Sequence, residues 1–251
     1  IMPGFNSILT YEPVITTTNR QLELDAADSN SYSGSGSTWT DLEANANATI
    51  TGATHTAGNQ DGGGVGYFAF DGTNDSCNCP DVSGVTDFTI SNDYTIEAWV
   101  YPDSTQNTTS NADNDVIEKW ANNGPGYPYV CRWLRASNSM NIAVYNGGTG
   151  QGTSITGFTT DAWNHFAAVF DHTNDTMTGY LNGQQSATRA LTITGDISNS
   201  YDLWIARRGT TDVGTQNWWT GRISTIRTYN RALSASDVDR NFQAERRFHG
   251  I

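Results

Sequence analysis

Short strand patterns, each ended by turn-forming residues, are the feature that most limits what this chain can fold into. In residues 163–185, WNHFAAVFDHTNDTMTGYLNGQQ, the tetrad HTND separates a strand pattern at 165–171 from the next at 176–181. The dipeptide NG at 182–183 is typical of the type I′ turn that closes a hairpin. Roughly a dozen such segments recur, without the helices that alternate with strands in parallel sheets. The pattern predicts an all-β sandwich of two antiparallel sheets.

Only the end of the chain has a helical pattern. Ser234 and Asp237 have the spacing of a capping box, and the apolar Val238 and Phe242 fall on one helical face. Acids in the first turn and arginines in the last both suit the helix dipole. We therefore expect a short C-terminal helix near 235–246.

The predicted sandwich leaves a segment at each end of the chain. Residues 1–19 contain prolines and a threonine run but no strand or helix period, and their first residues show no signal-peptide pattern. We divide the chain into an N-terminal arm (1–19), one β-sandwich domain (20–245) and a C-terminal tail (246–251).

Charge is distributed unevenly along the chain. The net charge is −13, but the last 30 residues contain six arginines against three acids, so the remainder is more acidic still. An acidic surface repels nucleic-acid phosphates and anionic lipids. No run of residues approaches the ~20 apolar positions of a membrane span. The sequence therefore predicts neither a nucleic-acid partner nor a membrane partner.

The three cysteines, Cys77, Cys79 and Cys131, do not form a disulfide framework. Residues i and i+2 of a strand point to the same face, so Cys77 and Cys79 would bridge each other badly. We expect free thiols, with a Cys79–Cys131 or Cys77–Cys131 bridge as the alternatives.

Four segments resemble laminin-G-like domains in their order: FAFDGTND, YTIEAWVYP, WNHFAAVFDHTNDTMTGYLNGQ, and the run from LWIARRG to WWTGRISTIRTYNRALSASDVDRNF. The resemblance covers residues 20–245, and its most specific part is the W-x-G-x-I-x-x-x-R-x-Y-N-R-A-L-S run. Laminin-G-like domains belong to the concanavalin A-like lectin/glucanase superfamily. The resemblance therefore implies a jelly-roll sandwich.

The closing NFQAERRFHGI resembles the ends of laminin-G-like proteins in tailed-bacteriophage virions, and the early SYSGSGSTWTDL is similar to segments of phage structural proteins. This resemblance implies a non-enzymatic virion protein, either a head decoration or a tail- or fibre-associated part. Its partners would be other virion subunits in a homo-oligomeric or multicopy assembly. The alternative is a secreted or surface carbohydrate-binding module, with or without the calcium dependence of its relatives.

Catalysis is not expected. Glucanases of the superfamily carry E-x-D-x-x-E, with two carboxylates flanking the scissile bond. This chain has Glu23-x-Asp25-x-x-Asp28, with the last acid shortened and the motif on the first strand. A strand that runs into a polar loop explains these residues better.

A structural Ca²⁺ is implied by the resemblance, but with an incomplete set of ligands. Relatives supply an early-strand aspartate, an aspartate of the following loop and an acid near the last strand. Asp25 and Asp41 match the first two, whereas Ser224 and Thr225 stand where the acid is expected. The run NADNDVIE begins like an EF-hand loop but lacks its glycine and final glutamate, so we expect a solvated loop there.

Aromatic side chains in loop-like segments are the candidates for glycan binding, because flat rings stack on sugars. These candidates are Trp120, Tyr127, Tyr129, Trp218 and Trp219. Adjacent strand residues face opposite ways, so we expect one of Trp218 and Trp219 in the core and the other outside. An outward tryptophan equally suits a subunit interface.

Basic residues near the end of the chain are the candidates for docking to a partner. They are Arg240, Arg246 and Arg247, together with Phe248. Arginines pair well with carboxylates, so an acidic neighbouring subunit is the expected partner. A nucleic-acid surface would instead need a broad basic face with interleaved aromatics, which this sequence lacks.

Overall fold

The computed structural model describes residues 13–58, 64–106, 113–120, 126–209 and 217–251. These residues form sixteen strands, a 3₁₀ turn (Arg135–Ser137) and one helix, α1 (Ala235–Glu245). The strands are β1 (Arg20–Asp25), β2 (Thr38–Trp39), β3 (Ala48–Thr51), β4 (Thr54–Thr56), β5 (Tyr67–Asp71), β6 (Ser76–Cys79), β7 (Tyr94–Pro102), β8 (Asp113–Glu118), β9 (Tyr127–Leu134), β10 (Ser139–Tyr145), β11 (Gly150–Thr156), β12 (Asn164–Asp171), β13 (Thr176–Leu181), β14 (Gln184–Ala190), β15 (Leu203–Ile205) and β16 (Thr220–Tyr229).

The strands form two eight-stranded sheets. Sheet A has the order β14-β13-β12-β7-β16-β5-β4, and β1 also pairs with β16. Sheet B has the order β11-β10-β9-β8-β15-β6-β3-β2. Every pairing between these strands is antiparallel. The predicted all-β sandwich with a short C-terminal helix is confirmed.

Local turn chemistry sets the register of the hairpins. Asn182 and Gly183, between β13 and β14, have φ values of 49° and 77°, the left-handed pair that a type I′ turn requires. The tetrad HTND likewise ends β12 and begins the return into β13. Both hairpins are therefore placed where the sequence predicted them.

The core lies between the two sheets and is rich in aromatic side chains. Its largest fully buried members are Trp39, Trp133, Trp219, Tyr94, Tyr129, Phe68, Phe88 and Phe166. The three cysteines are also buried there, and all are free thiols, as expected. Burial of this much apolar surface from both sheets is what holds the two layers together.

Helix α1 covers the outer face of sheet A. Ser234 and Asp237 form the predicted capping box at its start. Val238 packs with Tyr180 and Tyr229 of the sheet in a second, smaller apolar cluster. Neither this helix nor any other in the described residues is long and apolar enough to cross a membrane.

The described part of the arm and the tail both pack near this helix. In the arm, the backbone N–H of Thr16 donates to Oδ1 of Asn241 at 2.8 Å. In the tail, the buried ring of His249 stacks on Trp99 with centroids 3.7 Å apart. Residues 246–251, which the sequence analysis separates as a tail, therefore lie against the sandwich.

One buried guanidinium ties the helix to the sheet. Arg227 of β16 contacts Oε1 of Glu23 at 2.8 Å and Oε1 of Glu97 at 3.2 Å, on the two neighbouring strands. Its other nitrogen contacts Oε1 of Glu245, at the end of α1, at 2.5 Å. The second oxygen of Glu245 accepts a hydrogen bond from the indole of Trp99 at 2.7 Å. Three strands and the helix thus share one hydrogen-bonded centre.

Asp25 lies beside this centre but outside its ion pairs. Its Oδ1 accepts the backbone N–H of Ala27 at 2.8 Å, and no cation forms an ion pair with it among the described residues. Burial raises the pKa of this carboxyl from 3.8 to about 6. The folded chain therefore binds the proton of Asp25 more tightly than the unfolded chain does.

We expect Arg227→Met to destabilise the fold by about 3–5 kcal/mol, because it leaves three carboxylates buried without their shared cation. Arg189→Met is the matched control: Arg189 is exposed on β14 and donates only to the carbonyl of Gly152. Its cost should stay within about 0.5 kcal/mol. Urea unfolding measures both, and equal costs would show that the buried centre is dispensable.

The pKa of Asp25 predicts a stability change that depends on pH. Since the pKa of Asp25 is raised in the folded state, its ionised carboxylate lowers the stability of the protein. This destabilisation is absent below pH 3.8 and complete above about pH 6. Asp25→Asn removes the charge and should stabilise the protein by on the order of 2 kcal/mol at pH 8 and by almost nothing at pH 4. Urea unfolding of both proteins at both pH values tests this, and a gain independent of pH would contradict it.

Candidate functional site

A tryptophan of β15 marks the outer face of sheet B. Leu203 and Ile205 are buried in the core, so Trp204 between them points outward. The register places Trp204 opposite Glu118 of β8 on one side and Asn78 of β6 on the other. The indole is therefore fixed in the middle of the sheet by its two neighbouring strands.

Two consecutive arginines follow β15 and lie over three partly exposed indole rings. The guanidinium carbon of Arg207 is 4.3 Å from the ring centroid of Trp204 and 4.9 Å from that of Trp218. That of Arg208 is 4.9 Å from the ring centroid of Trp120. These distances allow cation–π attraction. We call these five residues the tryptophan–arginine surface.

A buried charged cluster supports this surface from below. Arg208 Nε donates to Asp115 Oδ2 at 2.9 Å, and Arg132 Nε donates to Asp115 Oδ1 at 2.6 Å. Arg132 also contacts Glu118 at 3.5 Å. Burial first, and then the neighbouring Asp115, raises the pKa of Glu118 well above its usual value. The neutral form of Glu118 is thereby favoured, which leaves the cluster with excess positive charge.

The backbone after the arginines is held close to the sheet. The N–H of Gly209 donates to Oε1 of Glu118 at 2.9 Å. A Cβ at Gly209 would overlap the indole of Trp204, so the close approach requires glycine at this position. Together the hydrogen bond and the missing side chain fix the segment that carries Arg207 and Arg208.

The structure divides the five predicted glycan-binding aromatics. Trp120 and Trp218 are partly exposed and belong to the tryptophan–arginine surface. Tyr127 is partly exposed on β9 of the same sheet, where its ring pairs with that of Tyr145 at 5.3 Å. These side chains are accessible to a ligand.

Tyr129 and Trp219 require a correction, because both are fully buried in the core. The hydroxyl of Tyr129 donates to the carbonyl of Thr86 at 2.7 Å, and its ring faces the opposite sheet. Trp219 packs near Phe70. Neither presents a face to a sugar. The opposite orientations expected for Trp218 and Trp219 are observed.

Sequence reasoning missed Trp204, Arg207 and Arg208. The signal was present in LWIARRG, where a tryptophan between two aliphatic residues of a strand must face away from the core. Arg207 and Arg208 had no local signal, since only the pairing of β15 with β8 brings them to Trp120 and Asp115.

The predicted calcium ligands have other roles in this structure. The carboxylate of Asp41 accepts four backbone N–H groups, from Glu23, Glu43, Asn45 and Ala46, at 2.8–3.0 Å. Those bonds account for its burial without a cation. Within the described residues, no group of three or more His, Cys, Asp or Glu side chains could hold a metal ion. A calcium site at Asp25 and Asp41 remains a prediction.

The acidic residues of the other two motifs also have partners within the protein. Glu23 pairs with Arg227 and Arg20, and Asp28 accepts the N–H of Asn30 in its own turn. The expectation of a solvated loop in NADNDVIE is wrong for its last six residues, since Asp113–Glu118 is strand β8 and Asp115 is fully buried. Its first two residues, 111 and 112, lie outside the described part of the chain.

The predicted docking residues lie together around the end of α1. Arg246 and Arg247 are exposed, and the side chain of Arg240 is 45% accessible. Phe248 is partly buried beneath the guanidinium of Arg247, at 4.7 Å. This basic surface is on the sheet A side of the molecule, away from the tryptophan–arginine surface.

Solved structures with the same fold include toxin and sialidase chains. The binding domain of Paraclostridial Mosquitocidal Protein 1 matches with a TM-score of 0.67 at 16% identity, over 89% of this chain and 52% of that one. The binding domain of botulinum neurotoxin serotype G matches with a TM-score of 0.68 at 14% identity, over 89% of this chain and 50% of that one. Trypanosoma rangeli sialidase matches with a TM-score of 0.63 at 13% identity, over 95% of this chain and 35% of that one. The chain thus spans about half or less of these structures, and the likeness concerns the fold.

A search of curated proteins found no match to the sequence. A laminin G-type family model, described as concanavalin A-like lectin/glucanases superfamily, matches residues 71–239. The match covers more than half of the chain and includes β7 through β16, the strands that carry the tryptophan–arginine surface. The chain belongs to the concanavalin A-like lectin/glucanases superfamily.

Proposed function

We propose that this chain is a non-enzymatic recognition domain that binds a carbohydrate at the tryptophan–arginine surface. The observation that carries the proposal is the convergence of three partly exposed indoles with Arg207 and Arg208. Indole faces stack on the apolar faces of sugar rings, while guanidinium groups donate to hydroxyl and carboxylate oxygens. The superfamily's lectin-like fold supports the same function.

The local charge favours an acidic sugar. The surface and its supporting cluster contain three arginines, whereas the whole chain has a net charge of −13. Among the described residues, Asp115 and Glu118 are the acids that pair with Arg132 and Arg208, and the raised pKa of Glu118 favours its neutral form. An anionic group on the glycan would therefore meet these arginines on an otherwise acidic molecule.

Two of the structural neighbours are named as binding domains of toxins, which agrees with a recognition role. The sialidase neighbours share the fold over about a third of their length. Glu23 is held by arginines and Asp28 by its own turn, so neither is placed as one of a catalytic pair of carboxylates. We therefore propose binding without hydrolysis.

The setting we propose is a phage particle, in which the domain is a head decoration or a tail- or fibre-associated protein. The resemblance of NFQAERRFHGI to the ends of virion proteins supports this setting. The exposed Arg240, Arg246 and Arg247 offer a surface for an acidic neighbouring subunit. The alternative setting is a secreted or surface lectin, which would use the same glycan surface.

We expect immobilised chain to bind acidic oligosaccharides on a glycan array more strongly than their neutral counterparts. Arg207→Ala and Trp218→Ala should each weaken binding by about tenfold or more, because each removes a direct contact. Trp163→Ala is the control, since Trp163 is also partly exposed but packs with Tyr67 and Tyr101 of sheet A. A blank array, or equal losses in all three variants, would contradict the proposed site. Arms with calcium and with EDTA test the calcium prediction.

In purified particles, we expect the chain at a fixed copy number relative to the major capsid protein, measured by quantitative mass spectrometry. The double variant Arg246→Glu/Arg247→Glu should lower incorporation severalfold, because it reverses the charge of the proposed docking surface. Arg189→Glu, on the exposed edge strand β14, should be incorporated normally. Absence of the chain from particles would overturn the virion setting but leave the glycan proposal intact.

A further inference from the structure

A cavity of about 280 Å³ lies on the sheet A side of the molecule, away from the tryptophan–arginine surface. Its walls come from five parts of the chain: the described end of the N-terminal arm, the end of β1 with the turn after it, residues 64–65, β16, and the segment from the end of α1 into the tail. Its size is close to the lower end of ligand pockets, which span roughly 300–1,000 Å³. The cavity therefore suits a small molecule.

One end of the cavity is polar and carries the side chain of Asp25, with Ser224 and Thr225 beside it. Thr225 is the direct strand partner of Asp25, so both side chains are on the outer face of sheet A. Asp25 has no ion-pair partner among the described residues, and its Oδ1 accepts the N–H of Ala27. Its second carboxylate oxygen and the two hydroxyl oxygens are therefore three further atoms that can accept hydrogen bonds here.

Much of the remaining lining of the cavity is apolar. It includes Val14 and Ile15 of the arm and Phe248 of the tail. Val14 is 62% exposed, so this side is open to solvent. A ligand here would bury an apolar body against these side chains while its polar group reached Asp25.

The electrostatics around the polar end are negative. Glu23, Glu97 and Glu245 share the single guanidinium of Arg227, and Arg20 adds one further cation at Glu23. His249, which also lines the cavity, has its pKa lowered by burial to about 4 and is neutral at pH 7. Ionised Asp25 therefore adds a fourth carboxylate to a region whose described arginines are Arg227 and Arg20, with His165 also contacting Glu97 at 3.4 Å. Such a region attracts a positive charge.

A divalent metal does not suit this arrangement. Ca²⁺ takes six to eight oxygen ligands and usually several carboxylates. The cavity supplies one unpaired carboxylate and two hydroxyls, since Glu245 is held by Arg227 and Trp99. An alkylammonium group has three N–H donors, which matches three acceptors, and carries a hydrocarbon body.

We propose that this cavity is a binding site for a small organic amine in its protonated form. The ammonium group donates to the carboxylate of Asp25 and to the hydroxyls of Ser224 and Thr225. The hydrocarbon part lies against Val14, Ile15 and Phe248. This site is separate from the glycan surface, and the two proposals stand or fall independently.

The test is a titration of the full chain with benzylammonium, followed by ¹H–¹⁵N NMR. We expect saturable shifts of the amides of Ala27, Ser224, Thr225 and Phe248. Benzyl alcohol and benzoate, the neutral and anionic counterparts, should bind at least tenfold more weakly. Asp25→Asn should lower the affinity for benzylammonium by about tenfold or more.

Asp28→Asn is the matched control, because Asp28 is three residues away and its side chain holds its own turn. Its affinity for benzylammonium should equal that of the unchanged chain. Three results would each overturn the proposal: no saturable shifts, equal affinity in Asp25→Asn, or equal binding of benzyl alcohol. The last would show an apolar cavity without charge recognition. Asp25→Asn is expected to fold stably, so loss of binding would report on the carboxylate.

Discussion

The guanidinium of Arg227 is the interaction on which one whole side of the molecule depends. It bonds to Glu23 and Glu97 on the strands flanking β16 and to Glu245 at the end of α1. Because all of these groups are largely buried, each is costly unless the others are in place. The helix therefore has one docked position on sheet A. That position carries the tail to Trp99, where His249 stacks, and so closes one wall of the amine cavity.

The outer faces of the two sheets are used differently for a physical reason. Sheet A is covered by α1, so its polar residues form a closed set of ion pairs with a small cavity at the margin. Sheet B keeps partly exposed indoles, and its buried acids serve to hold Arg132 and Arg208 beneath them. Partly exposed indoles combined with arginines thus lie on the sheet without a helix. Recognition of a glycan is proposed there, and attachment to neighbouring subunits is proposed on the helix side.

The sequence predicted part of the candidate site, and each residue that it placed wrongly has its own physical explanation. Trp218 and Trp219 were separable into outward and inward residues because strand side chains alternate. Tyr129 is a predicted glycan-binding residue because it lies next to loop-like residues in the sequence, whereas in the structure it is in β9 and faces the core. Asp115 was expected in solvent because its neighbours are polar. Its burial depends on Arg132 and Arg208, which come from other strands and have no local sequence signal.

By itself, the sequence determined what is local: strand alternation, the NG turn at 182–183, the capping box at Ser234 and the family motifs of the last strand and helix. These features follow from backbone conformation and from residues a few positions apart, so they can be read along the chain. Only the tertiary structure decided which side chains meet. Arg207 reaches Trp218, and Asp25 faces Phe248 across a cavity, because strand order and helix docking join segments that are distant in sequence. Both proposed sites consist of such contacts.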